Sequence, residues 1–363
     1  MSHPARNTVT APAARRPRAG RRLLALVSAL AVTASVAACG GTSEATGKGK
    51  DDASDVTLVF GFQTADYPAL LEASGLFEDL PFTLETPVIA GPAAQISALY
   101  SKATDIGLVG ENTAAFEAAN GDADLSSAEP KVYTIAGVSY PDTPYPAPTL
   151  FVRKSAGIKE LKDLKGHSVA YNFGGNIYAG YVRFLAAAGL TVDDIEPVQL
   201  TDNQAAAAAF VAGQVDAVVS GYTQVAKLLD SGEAEPLADN RDVGISGGAG
   251  FITRPDVLTD PAKTAAAKEF FTRFSKYYSE WYPTHEAEVT EIYRTVLKQT
   301  PEIAKRNFET QKSGALYKVG DPAFIAQQQA IVEAAFAAGG VKHAYDVAKV
   351  FNPVFDDVAV PAL

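Results

Sequence analysis

The sequence predicts an α/β fold of two lobes with a helical C-terminal part. Between residues 56 and 252, short apolar runs alternate with segments of helical periodicity, a pattern that favours mainly parallel sheets flanked by helices. Two stretches that are rich in proline or glycine, residues 140–148 and 244–250, enclose a self-contained βαβαβα segment. We therefore predict two crossings that act as a hinge, with residues 56–148 and 247–363 in lobe I and residues 149–246 in lobe II.

The elements of the α/β part follow one another from residue 56 to residue 229. Strands are predicted at residues 56–61, 82–89, 104–109, 132–138, 149–152, 168–172, 195–200 and 216–220. Helices are predicted between them at residues 67–73, 93–100, 114–119, 158–164, 177–188, 204–212 and 223–229. Pro92 suits the first turn of a helix, and Gly189 suits a helix end.

After residue 252 the periodicity is helical. The pair Asp260-Pro261 begins a run in which aromatic side chains recur every three or four positions as far as Trp281. Such a stripe is typical of a packed helix face rather than of a ligand site. Further helices are predicted at residues 286–297, 301–306 and 323–338.

The first 38 residues predict a secretory signal peptide. They contain six arginines and no acidic residue, and residues 23–38 form an uncharged run that ends in small residues before Cys39. Such a basic region followed by a short apolar one is typical of export signals, and the run is short for a transmembrane span. Because the only cysteine of the chain stands here, we predict a lipobox with lipid on Cys39; an uncleaved anchor and an ordinary signal are the alternatives. The pair Arg21-Arg22 leaves both Sec and twin-arginine export open.

Residues 39–55 form a predicted flexible tether, since they are rich in glycine, serine and charge and nearly free of apolar side chains. Residues 1–38 hold six of the 31 Lys and Arg and none of the 42 Asp and Glu, so the remaining chain carries a net charge of −17. That acidity argues against binding to nucleic acid and against flat binding to anionic lipid. We therefore expect an exported protein on the extracytoplasmic face of the cell membrane, held there by lipid on Cys39.

Metal and cofactor chemistry are not expected. One cysteine and four scattered histidines form no metal-binding motif and no intrachain disulfide. Residues 244–248 do match the G-x-S-x-G pattern around a serine nucleophile, Ser246. A nucleophile elbow requires a helix after the serine, and no helical signal follows. We predict no catalytic residue, and a secreted serine hydrolase that uses Ser246 is the alternative from another class.

Candidate ligand-binding residues lie in loops that follow predicted strands. Ligands of open α/β sheets bind beyond the carboxyl ends of the strands, and the start of a helix offers free N–H groups. The candidates are Gln63, Gly110, Glu111, Asn112, Thr113, Phe173, Gly174, Gly175, Asn176, Tyr222 and Thr223. Asn176 is alternatively a plain helix cap, and Glu111 is alternatively a charge that faces a helix dipole.

Several stretches resemble the solute-binding lipoproteins of ABC importers, in the group that binds nitrate, sulfonates, taurine and thiamine pyrimidine precursors. The similarity runs from residue 56 to about residue 297, and its most telling motifs are IKELKDLKG at 158–166 and AGQVDAV at 212–218. The resemblance implies a two-lobe clamshell of the type II periplasmic-binding-protein kind, with two hinge strands. It also implies a small-molecule ligand and, as partners, the permease subunits of an importer.

The candidate loops favour an aminated solute. They contain no Lys or Arg, whereas Glu111 would pair with an amine of the ligand. Phe62, Phe173 and Tyr222 offer apolar surface for an alkyl chain or a small ring. We expect a sulfonate or taurine-like solute, with an aminopyrimidine or nitrate as alternatives within the same group. A sensory ligand-binding subunit is a further alternative for the function.

Overall fold

The computed structural model describes residues 56–121 and 128–359, which form two β-sheets with helices packed against them. The predicted signal peptide, the tether and the lipidation site at Cys39 lie outside these residues. Within the described ranges, no helix combines the length and the apolar character that a membrane span requires. The predicted α/β class is confirmed.

The strands are short and lie in two separate sheets. In chain order they are β1 (Thr57–Gly61), β2 (Thr83–Glu85), β3 (Ile106–Gly110), β4 (Tyr133–Ser139), β5 (Thr149–Arg153), β6 (Ser168–Asn172), β7 (Glu196–Leu200), β8 (Ala217–Ser220), β9 (Ala234–Asp239), β10 (Ala249–Thr253) and β11 (Ala315–Tyr317). The first sheet has the order β11-β4-β10-β3-β1-β2, and the second has the order β7-β6-β8-β5-β9. The lobe boundaries themselves stay a prediction.

Both sheets are mixed, which corrects the expectation of mainly parallel pairing. β1 runs parallel to β2 and β3, and β6 runs parallel to β7 and β8. The strand pairings of β5 and β9 in the second sheet, and those of β4, β10 and β11 in the first, are antiparallel. The parallel strands are those joined through helices, since a parallel pair needs a crossover connection.

The helices are α1 (Asp66–Ala73), α2 (Pro92–Tyr100), α3 (Thr113–Asn120), α4 (Asn176–Ala188), α5 (Asn203–Val211), α6 (Ala226–Asp230), α7 (Pro255–Leu258), α8 (Pro261–Lys276), α9 (Glu286–Val296), α10 (Pro301–Gln311) and α11 (Pro322–Ala337). Asp260 begins α8 as predicted, because its carboxylate accepts hydrogen bonds from the N–H groups of Ala262 and Lys263. The helix predicted at 158–164 is only a short 3₁₀ helix, Leu161–Leu164.

Three strands were not predicted, and each depends on partners that are distant in the chain. β9 pairs with β5, β10 is inserted between β3 and β4, and β11 pairs with β4. β10 begins inside the glycine-rich stretch for which the sequence predicts a crossing. Gly250 is needed there, because a side chain at that position would lie 2.9 Å from Cα of Glu111.

The predicted aromatic stripe forms the core beneath the first sheet. Phe270, Phe271 and Phe274 of α8 are fully buried, and Phe270 stacks on Phe60 of β1 at a centroid distance of 4.2 Å. A one-turn π-helix, Tyr277–Trp281, continues the stripe. The aromatic face is therefore packed, as predicted, and it fixes α8 against the strand that leads into the candidate site.

Two segments connect the sheets and touch each other. We call them the crossing segments: residues 140–148 join β4 to β5, and residues 240–248 join β9 to β10. A Cβ atom on Gly247 would overlap the carbonyl oxygen of Ala147. The two segments therefore pack backbone against backbone at this point.

Candidate functional site

A cavity of about 330 Å³ lies where strand ends from both sheets converge, and we call it the cleft. Gln63 follows β1, Gly110 ends β3, Asn172 ends β6, and Thr223 lies shortly after β8. The two crossing segments, α10 and the starts of α1, α2 and α5 supply most of the remaining wall. The carboxyl ends of strands from two sheets thus face one cavity, which is the usual position for ligands of open α/β sheets.

The structure brings some of the predicted site residues to the cleft and places the others behind its wall. Those that line it are Gln63, Gly110, Gly175, Asn176, Tyr222 and Thr223. Those that do not line it are Glu111, Asn112, Thr113, Phe173 and Gly174. The binding role of every member of the set stays a prediction, since no ligand contact is observed.

Gly110, at the end of β3 in the first sheet, packs closely against the start of α4, the helix that follows β6 of the second sheet. A Cβ atom on Gly110 would overlap the Oδ1 atom of Asn176 and lie 2.9 Å from Cα of Gly175. Asn176 is not the cap of α4, because Gly175 occupies that position. Its Nδ2 atom instead donates hydrogen bonds to the carbonyl oxygens of Gly247 and Gly248, at 3.2 and 2.8 Å. Asn176 therefore ties α4 to the second crossing segment.

Glu111 is fully buried and does not face the cleft. Its Oε2 atom accepts hydrogen bonds from the hydroxyl groups of Ser246 and of Tyr317, the latter at 3.0 Å. Burial raises the pKa of this carboxyl group to about 7, and the hydrogen bonds from Ser246 and Tyr317 oppose that rise. Glu111 thus joins β3 to the second crossing segment and to β11, and the predicted pairing with a ligand amine finds no support in this position.

The neighbours of Glu111 are also part of the interior. The Nδ2 atom of Asn112 donates a 2.5 Å hydrogen bond to Oε1 of Gln328 on α11. Thr113 is buried at the start of α3. Phe173 is half-buried and packs against Tyr178 at a centroid distance of 4.6 Å. These side chains stabilise the wall behind the cleft.

Two further residues on the cleft wall were missed by the sequence analysis. Asp202 is the only charged residue among the described residues that line the cleft. It is also the N-cap of α5, since its Oδ1 atom accepts a hydrogen bond from the N–H of Ala205 at 2.8 Å. From the sequence alone, this capping role is a sufficient explanation for an aspartate at this position. Asn172 is buried, and its Oδ1 atom has no hydrogen-bond partner. That oxygen has almost no accessible surface, so it is packed inside the wall and does not face the cleft.

The serine motif does not form a nucleophile elbow. Ser246 is followed by β10 rather than by a helix, and its hydroxyl group donates to Glu111 rather than to a histidine. His285 lies on the ring of Trp281, with a centroid distance of 4.9 Å. Among the described residues, no group of three or more His, Cys, Asp and Glu could hold a metal ion.

Comparison with known proteins agrees with this architecture. Residues 142–274 match the family model described as "NMT1/THI5 like". A protein of Escherichia coli (strain K12) named "Putative aliphatic sulfonates-binding protein" is 34% identical over 166 residues, which cover 46% of this chain and 48% of that protein. The match therefore spans about half the length of that relative.

Two solved structures show the same fold. The alkanesulfonate-binding protein of Xanthomonas axonopodis pv. citri, bound to MOPS, has a TM-score of 0.68 and 22% identity, over 82% of this chain and 98% of its own. The periplasmic nitrate-binding protein of Synechocystis PCC 6803 has a TM-score of 0.64 and 14% identity, over 84% and 88%. The chain thus has the fold of periplasmic binding proteins, and the predicted resemblance to the nitrate- and sulfonate-binding group is confirmed.

Proposed function

We propose that this chain is an extracytoplasmic solute-binding protein of an ABC importer. It captures a small organic solute in the cleft and delivers it to the permease subunits. The convergence of strand ends from both sheets on one cavity of about 330 Å³ carries the proposal, because proteins bind small molecules at such sites. The names of the matched relatives, an aliphatic sulfonates-binding protein and an alkanesulfonate-binding protein, support the same class.

The cleft wall supports a solute that carries an amine as well as a polar or anionic head. The carboxylate of Asp202 offers an acceptor for an amine. The first N–H groups of α4 have no partner within the helix and would hold an anionic head. Asp202 replaces Glu111 as the group that pairs with the amine. We propose a taurine-like aminosulfonate, with an aminopyrimidine or nitrate as the alternatives.

A thermal-shift screen with taurine, ethanesulfonate, nitrate and an aminopyrimidine tests this proposal. A solute at 100 times its Kd stabilises a binding protein by about 2.7 kcal/mol. Asp202→Asn removes the charge but keeps an oxygen to cap α5, so it is expected to weaken taurine about tenfold and to leave ethanesulfonate unchanged. Asp260→Asn is the matched control, because Asp260 caps α8 in the same way and does not line the cleft.

Two results would contradict the proposed function. One is the absence of any stabilisation by these solutes. The other is steady hydrolysis of an ester or amide that Ser246→Ala abolishes, which would favour the hydrolase instead. Binding of ethanesulfonate or nitrate alone, with no effect of Asp202→Asn, would leave the function standing and would reject the aminated solute.

We further propose that lipid on Cys39 holds the protein to the membrane after export. The acidic remainder of the chain, with its net charge of −17, gives no attraction to anionic headgroups. Cys39→Ala is expected to leave the chain uncleaved or to release it from the membrane. Membrane retention with normal processing of this variant would show that Cys39 is not the anchor.

A further inference from the structure

The first residue of α5, Asn203, lies on the wall of the cleft. Its Oδ1 atom accepts a 2.8 Å hydrogen bond from the hydroxyl group of Ser220, the last residue of β8. Ser220 itself does not line the cleft. The sequence analysis predicted no role for either residue, because neither belongs to the loop positions that it selected.

The bond between Asn203 and Ser220 spans a strand. In the second sheet β6 lies between β7, which leads into α5, and β8, which ends at Ser220. Neighbouring strands are about 4.8 Å apart, so the side chain of Asn203 reaches across β6 to meet Ser220. β6 in turn leads into α4. The amide of Asn203 therefore lies near the start of α4, which the proposed function assigns to the anionic head.

The orientation of the Asn203 amide follows from the burial of Ser220. Ser220 is fully buried, and among the described residues its hydroxyl group makes no hydrogen bond except the one to Asn203. If the amide were turned over, its nitrogen would face this hydroxyl, and the hydroxyl proton would have no acceptor. A buried donor without a partner is costly. The amide oxygen therefore faces Ser220, and the nitrogen faces away from it.

The amide nitrogen of Asn203 is free to bind a ligand. Asn203 is half-buried, and its Nδ2 atom has no hydrogen-bond partner among the described residues. Nδ2 is not one of the fully buried polar atoms that lack a partner, so it keeps accessible surface. It differs in this from Oδ1 of Asn172, which is packed inside the wall. Asn203 thus offers two N–H donors to the cleft.

The donor of Asn203 has a complementary neighbour. Asp202 precedes it in the chain and lines the same wall with a carboxylate. An acceptor and a donor at adjacent positions suit a solute in which an amine and an acceptor oxygen are close together, as in taurine, where a short chain separates the amine from the sulfonate. Hydrogen bonds to an ionised group are roughly twice as strong as neutral ones, so Asn203 favours an anionic oxygen.

We propose that Asn203 is a specificity-determining residue whose Nδ2 atom donates hydrogen bonds to the anionic head of the solute, and that Ser220 is the residue that positions it. This inference rests on the proposed function, because it concerns the solute of the same cleft. A sulfonate has several oxygens, so the N–H groups of α4 and the amide of Asn203 bind different ones. Ser220 acts only through Asn203.

Calorimetric titration of the full-length chain with taurine and with ethanesulfonate tests the role of Asn203. Asn203→Ala removes a hydrogen bond to a charged group, so both probes are expected to bind about tenfold more weakly. Asp202→Asn, in contrast, is expected to weaken taurine alone. Asn120→Ala, at the end of α3 and outside the cleft lining, is the control and should bind both probes like the wild type.

A double-mutant cycle tests the role of Ser220. Ser220→Ala releases the amide of Asn203, so it should weaken both probes severalfold in the wild-type background. In the Asn203→Ala background the same change should have no further effect, because the residue through which Ser220 acts is gone. An equal loss of affinity in both backgrounds would show that Ser220 only stabilises the fold, and would overturn its positioning role.

A second variant keeps the test decisive if Asn203→Ala does not fold. Asn203→Asp keeps the acceptor for Ser220 and places a carboxylate oxygen where the donor was, so both probes should lose binding. Wild-type affinity for ethanesulfonate in Asn203→Asp would overturn the inference and leave the proposed function standing. So would a wild type that binds only the aminopyrimidine. A wild type that binds none of the four solutes of the thermal-shift screen would instead reject the proposed function, and this inference with it.

Discussion

The hydroxyl group of Tyr317 donates a 3.0 Å hydrogen bond to Oε2 of Glu111, across 206 residues of sequence. Ser246, on the second crossing segment, donates to the same oxygen. Burial and the nearby carboxylate raise the pKa of Tyr317 well above its ordinary value. The hydroxyl group of Tyr317 therefore keeps its proton at neutral pH and can donate this hydrogen bond. One buried carboxyl group thus joins the end of β3, a crossing segment and β11.

The raised pKa of Glu111 predicts a pH-dependent stability. The pKa is about 7 in the folded chain against an ordinary value of 4.5. The unfolded chain therefore loses this proton at a lower pH than the folded chain, and raising the pH from about 4.5 to 7 favours unfolding. This group should lower the free energy of unfolding by roughly 2.5 kcal/mol between pH 5 and pH 8.

Urea unfolding of the wild type and of Glu111→Gln, measured at several pH values between about 5 and 8, checks this prediction. The amide of Glu111→Gln does not titrate, so the free energy of unfolding of this variant should lack the pH dependence that Glu111 causes. Relative to the wild type, the variant should therefore become more stable as the pH rises. Glu85→Gln, at an exposed position on β2, is the control and should follow the wild type. Parallel curves for all three proteins would show that Glu111 titrates normally.

The contact between Gly110 and the start of α4 predicts a sharp difference between two glycines. Gly110→Ala would force a methyl group into Asn176 and Gly175, and overpacking of this kind costs about 1–3 kcal/mol. Gly175→Ala is the matched control, because its Cβ atom would meet Pro92 and Thr113 at an ordinary 3.5 Å. Denaturant unfolding should show the loss in Gly110→Ala alone. Equal stability of the two variants would mean that α4 can move away from β3 without cost.

The contact between the crossing segments predicts a second such difference. Gly247 and Gly244 both have a positive φ, +73° and +68°, so alanine at either position strains the backbone by about 1 kcal/mol. Only Gly247→Ala also drives a methyl group into the carbonyl oxygen of Ala147; at Gly244 the nearest atom is 3.9 Å away. Thermal unfolding should therefore show a further loss of about 1–3 kcal/mol in Gly247→Ala. The same melting temperature for both variants would show that the segments do not press on each other.

The loops of the cleft could be predicted from the sequence because strand ends and helix starts leave a local signal. Gln63, Gly175 and Thr223 follow apolar runs closely, and all three line the cleft. Which side chains in those loops face the cavity is decided by distant residues. Phe173 looked available for stacking, but it turns inward onto Tyr178, whose position depends on α4.

Burial by distant partners also explains the other misses. Glu111 is covered by Tyr317, which lies 206 positions away in the chain, and no local sequence pattern indicates that contact. Asp202 carries the sequence signature of a helix cap, and it is one; its second role on the cleft wall follows only from the packing of the two sheets. Strands such as β11, with three residues, are too short to give a periodic signal.

The hydrogen bonds of Asn176 predict the effect of a change that keeps the shape of the side chain. Asn176→Asp replaces the donor to Gly247 and Gly248 with a carboxylate opposite their carbonyl oxygens, so stability should fall by about 1–3 kcal/mol. Asn203→Asp is the matched control. Asn203 also occupies the first position of a helix, but its Oδ1 atom accepts from Ser220 at 2.8 Å, and aspartate keeps that bond. Both variants gain the same charge near a helix N-terminus, so equal unfolding curves would show that the amide of Asn176 does not hold the crossing segment.

The contacts of Arg306 indicate how the C-terminal helical part is held against the second sheet. From α10, its Nη2 atom pairs with Asp230 of α6 at 3.1 Å, and its guanidinium carbon lies 5.4 Å from the ring centroid of Tyr145. The ion pair is half-exposed, so Arg306→Ala should cost less than about 1 kcal/mol of global stability. It should nevertheless loosen the contact across the cleft and raise the radius of gyration measured by solution scattering. Arg294→Ala removes a similar pair that lies within α9, with Glu291, and should leave the radius unchanged; an equal radius for both variants would show that Arg306 does not hold the two parts together.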